Sequence, residues 1–197
     1  MHIKLLLPLL PLLAAATAVT EGGYIVPKDI APGFYTVDFH DDGTTTTTRV
    51  DFDDTPPTSS PPETRSLLGA DSAKFARQLT RRVTWGSTNR VMSEQAQYNS
   101  LTDRWKNWFA KGNGVGSQRI SYFTTDRLVL ACCNYQNWEL PLPPQAVDDF
   151  NRLLDQQLGS WRTGWAHFGG VYGDVSFWRD HRGVQICGNL KGGVVPK

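Results

Sequence analysis

The stretch RLVLACCNYQNW, residues 127–138, joins the most strand-like apolar run of the chain to its only adjacent pair of cysteines. The segment GVQICGN, residues 183–189, carries the only other cysteine and has the same β-branched, glycine-terminated character. We therefore expect the core to form around these two segments. Either Cys132 or Cys133 is expected to bond to Cys187.

Residues 1–18 have the pattern of a secretory signal peptide. Lys4 gives a short basic start, an apolar run follows from Leu5 to Ala16, and Ala18 provides a small residue at the cleavage position. The apolar run is too short, and too interrupted by prolines, to span a bilayer core of about 30 Å. We expect a secreted, extracellular protein without a membrane span.

The charge balance argues against a nucleic-acid partner. The chain of 197 residues has 20 Lys and Arg against 19 Asp and Glu. Loss of Lys4 with the signal peptide leaves 19 of each sign, and a neutral surface does not attract a polyanion. In an oxidising compartment three cysteines leave one thiol without an internal partner.

Residues 19–54 are predicted to form a β-hairpin that is an appendage or a pro-region of the protein. Two strand-like runs, residues 33–39 and 44–52, flank Asp42-Gly43. An Asp-Gly pair readily supplies the positive φ that a tight hairpin turn needs.

Residues 55–82 are predicted to be a linker, because four prolines and many hydroxyl residues leave little to bury. The linker ends in Arg81-Arg82, a pair that a kexin-type protease would cut in a secreted protein. Two ordinary surface arginines are the alternative interpretation.

Residues 83–197 are predicted to form an α/β sandwich domain. Ser93 precedes a helix with apolar positions at every third or fourth residue, and Pro143-Pro144 precede a second helix that ends at Gly159. Strands are expected at residues 83–86, 119–123, 127–135, 161–168 and 184–187. This order of elements predicts an α+β fold in which two helices cover one face of an antiparallel sheet. The arrangement is the ferredoxin-like β-α-β-β-α-β sandwich, and the hairpin and the Pro-rich linker precede it.

Several short motifs in this domain resemble those of a family of small secreted fungal proteins. They are Cys133-Asn134-Tyr135, Gly164-Trp165, Tyr172-Gly173 and Ile186-Cys187-Gly188-Asn189. Members of that family are regarded as candidate effectors, and the predicted element order is similar to the killer-toxin-like fold found among them. The resemblance implies a virulence-associated protein that binds a host protein or a cell-wall glycan. It also implies that the secreted protein is delivered into host tissue.

A set of aromatic and basic residues is the candidate binding site. Tryptophan and arginine side chains can stack on sugars or hold a partner protein, although a small core would also use the tryptophans. The candidates are Trp138, Trp161, Trp165, Trp178, Arg179 and His181.

A second group, His167, Asp174, Asp180 and His181, has residue types that could perform acid–base chemistry or bind a metal. Its spacing fits no known zinc pattern, so we expect no metal and no cofactor. The leading functional hypothesis is binding by a monomer without catalysis. A small nuclease-like hydrolase that uses His167 and His181, or an antimicrobial protein, is the alternative.

The choice between the two adjacent cysteines begins from the strand pleat. Cys132 and Cys133 point to opposite faces of one strand, so only one of them can meet Cys187. The small residues Val129 and Ala131 share a face with Cys133 and leave room for a bridge beside a helix, and the Cys-Asn-Tyr resemblance also favours this cysteine. We predict Cys133 with Cys187 and a buried thiol at Cys132.

Overall fold

In the computed structural model, the described residues are 17–18, 23–40, 42–52, 83–169 and 172–188. The dibasic pair Arg81-Arg82 and nearly all of the predicted linker and signal peptide lie outside these ranges. The strands are β1 (Thr17–Ala18), β2 (Tyr24–Ile25), β3 (Gly33–Phe39), β4 (Thr44–Val50), β5 (Val83–Val91), β6 (Gly114–Val115), β7 (Arg119–Thr124), β8 (Leu128–Asn134), β9 (Leu140–Pro141), β10 (Arg162–Gly169), β11 (Asp174–His181) and β12 (Gln185–Ile186). The helices are α1 (Gln95–Ala110) and α2 (Gln145–Leu158).

The described strands form one large antiparallel sheet with the order β1-β4-β3-β7-β8-β11-β10-β5, and two small ribbons, β2-β12 and β6-β9. Seven of these strands are long and β1 adds two residues at one edge. The ferredoxin-like prediction was therefore wrong. The first strand of the predicted sandwich, β5, lies at the far edge of the sheet and, among the described strands, pairs with β10 alone.

The sequence prediction failed first at β11, whose residues lie between the predicted strands at 161–168 and 184–187 and were assigned to no element. In the structure β11 pairs with β8 along seven positions and with β10 along six, so it is a central strand. Its sequence DVSFWRDH is buried at six consecutive positions. A strand that is buried on both faces shows no apolar–polar alternation, which is the pattern the prediction depended on.

The second error concerns the N-terminal hairpin. The hairpin itself is confirmed, with β3 and β4 joined through Gly43 at φ 80°. It does not precede the sheet, because β3 pairs with β7 along six positions from Gly33 to Asp38. Phe34 stacks on Phe123 at 4.3 Å between ring centroids, which places the hairpin in the same hydrophobic core as the helices.

Both predicted helices are present, and their apolar faces contribute to one core cluster. Helix α1 buries Leu101, Trp105 and Phe109, and helix α2 buries Val147 and Phe150. The amphipathic spacing that predicted them is the physical reason they form, since each apolar stripe is removed from water against the sheet. Gly159 ends α2 with a φ of 90°, as its position after the last apolar residue predicted.

The opposite face of the sheet is covered in part by the β2-β12 ribbon. Tyr24 and Ile186 are buried there together with Tyr122 and Val129. This ribbon joins the N-terminal part of the described chain to its C-terminal part. The front segment is thus bound to the body on both faces of the sheet.

Candidate functional site

The disulfide between Cys133 and Cys187 is present, which confirms the predicted pairing. It ties β8 to the segment that follows β12, on the face of the sheet opposite to the helices, so the expected place beside a helix was wrong. Cys132 is free, fully buried and packed on the helix side. Burial raises the pKa of the Cys132 thiol well above its usual value, so this residue does not supply a thiolate nucleophile.

Two of the four candidate tryptophans are core residues. Trp165 and Trp178 are 9% and 5% exposed and stack on each other at 5.6 Å between ring centroids. Gly86 of the neighbouring strand makes room for this arrangement, because a Cβ atom there would lie 2.6 Å from Trp165 Nε1. A ligand does not reach either ring in this packing.

The other two tryptophans lie apart from that pair. Trp161 is half-buried and meets Tyr98 edge to face, with 6.1 Å between ring centroids. Trp138 is 60% exposed in the connection between β8 and β9. Of the four, only Trp138 presents most of its ring to solvent.

Arg179 is held by intramolecular hydrogen bonds, and the His181 ring lies near two carboxylates. Arg179 is 1% exposed, and its guanidinium donates to Asp155 Oδ1 at 2.8 Å and to the Arg162 carbonyl at 2.7 Å. His181 is partly buried, with Nδ1 3.7 Å from Asp180 Oδ1 and Nε2 4.0 Å from Glu94 Oε2. The six residues of the candidate binding set therefore do not form one site.

The residues of the acid–base candidate separate in the same way. Asp174 begins β11 and His181 ends it, which places them roughly 23 Å apart at about 3.3 Å per residue. His167 Nε2 lies 2.9 Å from Asp174 Oδ1, whereas Asp180 accepts hydrogen bonds from Thr88 Oγ1 and the His181 amide at the other end. His167 therefore lies near the start of β11 and His181 at its end, and the two histidines are not placed to act on one substrate bond. Among the described residues there is also no group of three or more His, Cys, Asp or Glu that could hold a metal ion.

The pair His167 and Asp174 lies beside a serine that the sequence analysis did not consider. Ser176 is the cross-strand neighbour of His167, so the three residues have the composition of a Ser–His–Asp triad. The geometry is not that of a triad, because Ser176 Oγ accepts from Trp178 Nε1 at 3.0 Å and bonds to the Tyr135 hydroxyl at 3.1 Å. Ser176 is 1% exposed, so a substrate does not reach it. The three residues are therefore not arranged as a catalytic triad.

His167 makes protein stability depend on pH. Burial lowers the pKa of His167 below its usual value of about 6.5, and nearby Asp174 opposes that shift. Because the folded state then holds the proton less tightly than the unfolded chain, stability falls as the pH drops below about 6.5. We expect His167→Gln to reduce the loss of unfolding free energy between pH 7.5 and pH 5, measured by urea denaturation. An unchanged pH dependence in this variant would show that His167 is not the group responsible.

The feature that the sequence analysis missed is the outer edge of β5. No described strand pairs with that edge. Successive residues of a strand in an antiparallel sheet bond alternately to the strands on its two sides. The Tyr135 amide donates to the Asp174 carbonyl, so even-numbered residues of β11 bond to β8 and odd-numbered residues bond to β10. By the same alternation, even-numbered residues of β10 bond to β11 and odd-numbered residues bond to β5. It follows that Thr84 and Gly86 bond to β10, whereas the backbone groups of Val83, Trp85 and Ser87 point outward.

Exposed apolar side chains accompany this row of backbone groups. Trp85 is 44% exposed in the middle of the edge, and Val91 is 57% exposed at its end. The second half of β5 is irregular, with a register shift opposite Arg162 and Gly164 and a φ of 59° at Asn89. The regular part of the outer edge of β5 is therefore residues 83–87.

Comparisons with known proteins assign no family to the chain, since no family model, no curated protein and no solved structure matches it. In the described part of the chain, no helix combines the length and the apolar character needed to cross a membrane.

Proposed function

We propose that the chain is a secreted protein that acts by binding, and that the outer edge of β5 receives an extended segment of a partner protein. The observation that carries this proposal is the edge at residues 83–87, with which no described strand pairs and at whose centre Trp85 is exposed. An unpaired strand edge can accept another strand through main-chain hydrogen bonds, and side-chain contacts then select the partner.

The chemistry of the edge favours a polypeptide over a glycan as the ligand. Outward-facing amide and carbonyl groups at alternate residues match the repeat of an extended peptide. The indole of Trp85 offers a large apolar contact of the kind that dominates protein interfaces. Arg90 and Arg162 are exposed at the far end of β5, which favours a partner segment with an acidic residue there.

The resemblance to fungal effectors makes a host protein the partner that we propose. The competing hypothesis of a nuclease-like hydrolase has less support, because His167 lies in β10 opposite Ser176, near the start of β11, whereas His181 ends β11. An antimicrobial role would also use a binding surface, and the source of the partner protein would distinguish it from an effector role.

The binding proposal is tested by selecting extended nonapeptides from a phage library on the immobilised protein and measuring their affinities for variants. We expect Trp85→Ser to weaken the selected peptides by about tenfold or more, because an exposed aromatic residue at the centre of an interface is typically an energetic hot spot. Trp138→Ser is the matched control, since it removes a tryptophan that is 60% exposed, against 44% for Trp85, from the connection after β8, a strand three positions from β5 in the sheet. Its affinity is expected to equal that of the wild type.

Two results would overturn the proposal. The first is a set of selected peptides that bind Trp85→Ser as tightly as the wild type. The second is activity of the purified protein on a panel of nucleic-acid and glycoside substrates that His167→Ala abolishes.

A further inference from the structure

Trp138 is the most exposed of the large apolar side chains in the described ranges, with 60% of its surface in contact with solvent. It lies in the connection between β8 and β9, residues 135–139. Its neighbours in sequence, Asn137 and Glu139, are also exposed. The other three exposed large apolar residues lie on β2 and β5. Trp138 is therefore an exposed indole with polar residues on both sides of it in the chain.

The buried side chain of Asn134 holds this connection in place. Asn134 Nδ2 donates to the Trp138 carbonyl at 2.8 Å and to the Val115 carbonyl at 2.9 Å. Asn134 Oδ1 accepts a hydrogen bond from the Gln136 amide at 2.9 Å. Because Asn134 is fully buried, water does not compete for these bonds. The backbone at Trp138 is thus tied to the body of the protein.

A second set of hydrogen bonds joins the connection to the residue before β7. The Gln118 amide donates to the Gln136 carbonyl at 2.9 Å, and Gln118 Nε2 donates to Asn137 Oδ1 at 2.6 Å. Gln118 has a φ of 46°, a left-handed conformation that is uncommon for residues other than glycine. Such conformations cluster at ligand-binding and active sites. The side-chain amides of Gln118 and Asn137 are therefore fixed against each other at the surface that carries Trp138.

We propose that Trp138, together with the polar side chains of Asn137, Glu139 and Gln118, binds a neutral glycan of β-1,4-linked pyranose units with equatorial substituents. The axial C–H groups of such a unit form a flat apolar face, and an indole ring offers a flat apolar surface to cover it. The hydroxyl groups at the edge of the sugar ring are both donors and acceptors. The amide of Asn137 and the carboxylate of Glu139 supply partners of both kinds.

The polar surroundings of Trp138 favour a glycan over a protein segment at this position. The centre of a protein interface is usually depleted of charged residues, whereas the exposed Glu139 directly follows Trp138. The negative charge of Glu139 also disfavours a polyanionic glycan, because like charges repel each other. A connection that is already held by Asn134 and Gln118 does not have to be ordered by the ligand, so less binding free energy is lost.

The glycan site is tested by NMR titration of the purified protein with cellohexaose and chitohexaose, two β-1,4-linked sugars with equatorial substituents. We expect saturable shifts of the Trp138 indole N–H and of the Asn137 and Gln118 side-chain amides. Trp138→Ala should weaken binding by about tenfold or more, whereas Trp138→Phe should keep part of the affinity, because an aromatic ring remains. Binding of one sugar alone would support the site and identify the sugar unit that it recognises.

Trp85→Ala is the matched control, because it removes an exposed tryptophan from β5 and leaves the glycan site unchanged. Its affinity for the sugars is expected to equal that of the wild type. An oligomer of galacturonic acid is the second control, and we expect it to cause no saturable shifts at Trp138.

Three results would overturn the glycan site. The first is the absence of saturable shifts with both neutral hexasaccharides. The second is equal affinity of the wild type and Trp138→Ala for the sugars. The third is a set of selected peptides that lose affinity in Trp138→Ser while neither sugar binds, which would make the exposed indole a protein contact. The first two results leave the proposed peptide binding at β5 untouched, because the glycan site uses no residue of that strand.

Discussion

Replacing Trp105 with alanine is expected to lower the free energy of unfolding by about 3–5 kcal/mol, the usual cost of removing a large buried aromatic residue. Trp105 is fully buried, and its Nε1 atom donates to the Leu130 carbonyl at 2.8 Å. Its ring lies within 6.5 Å, between centroids, of Phe34 in the hairpin and Phe177 in β11. One side chain therefore joins α1, the central strands and the N-terminal hairpin.

Urea denaturation followed by circular dichroism measures this effect, and Trp138→Ala is the matched control. Trp138 is 60% exposed, so the same chemical change there should alter the free energy of unfolding by less than about 0.5 kcal/mol. Equal effects of the two substitutions would contradict the assignment of Trp105 to the core.

Loss of the disulfide is the second large effect. Cys133 and Cys187 are 54 residues apart in sequence, and removing a cross-link over a loop of this size typically costs about 2–5 kcal/mol. We expect Cys133→Ser with Cys187→Ser to lower the free energy of unfolding by this amount in the same denaturation assay. Cys132→Ala should cost less, because it removes only one buried thiol.

The cysteines themselves can be counted in the unmodified protein. Peptide mapping without reduction should show the cross-link between Cys133 and Cys187, and alkylation after denaturation should modify Cys132 alone. A cross-link through Cys132, or three reactive thiols, would contradict the structure.

Local sequence patterns predicted the helices and turns, because these elements form through interactions between residues that are close in sequence. The apolar periodicity of α1 and α2, the turn at Gly43 and the end of α2 at Gly159 all follow from side-chain spacing or backbone preference. The pleat of β8 correctly limits the disulfide to one of the two adjacent cysteines. The choice of Cys133 rested on the Cys-Asn-Tyr resemblance and on room beside a helix, and the structure contradicts the second of these grounds.

Strand order could not be obtained in the same way. The pairing of β3 with β7 joins residues about 80 or more positions apart, and no local pattern identifies such a partner. The uniform burial of β11 removed the alternation that reveals a half-buried strand. Without β11 in its central place, β5 could not be recognised as an edge strand.

The candidate binding site was missed for the same reason. A list of aromatic and basic residues does not distinguish Trp165, which packs in the interior, from Trp85, which is exposed. Only the sheet order shows that the backbone groups beside Trp85 have no strand partner among the described residues. The functional proposal therefore depends on topology more than on residue type.

Amide hydrogen exchange at β5, followed by NMR with and without a selected nonapeptide, tests the binding account most directly. In the free protein, we expect slow exchange at Thr84 and Gly86, which bond to β10, and fast exchange at Trp85 and Ser87, whose amides point outward. Addition of the peptide should slow exchange at Trp85 and Ser87 and leave Thr84 and Gly86 unchanged. Slow exchange at Trp85 in the free protein, or peptide binding that leaves Trp85 and Ser87 unprotected, would contradict the account.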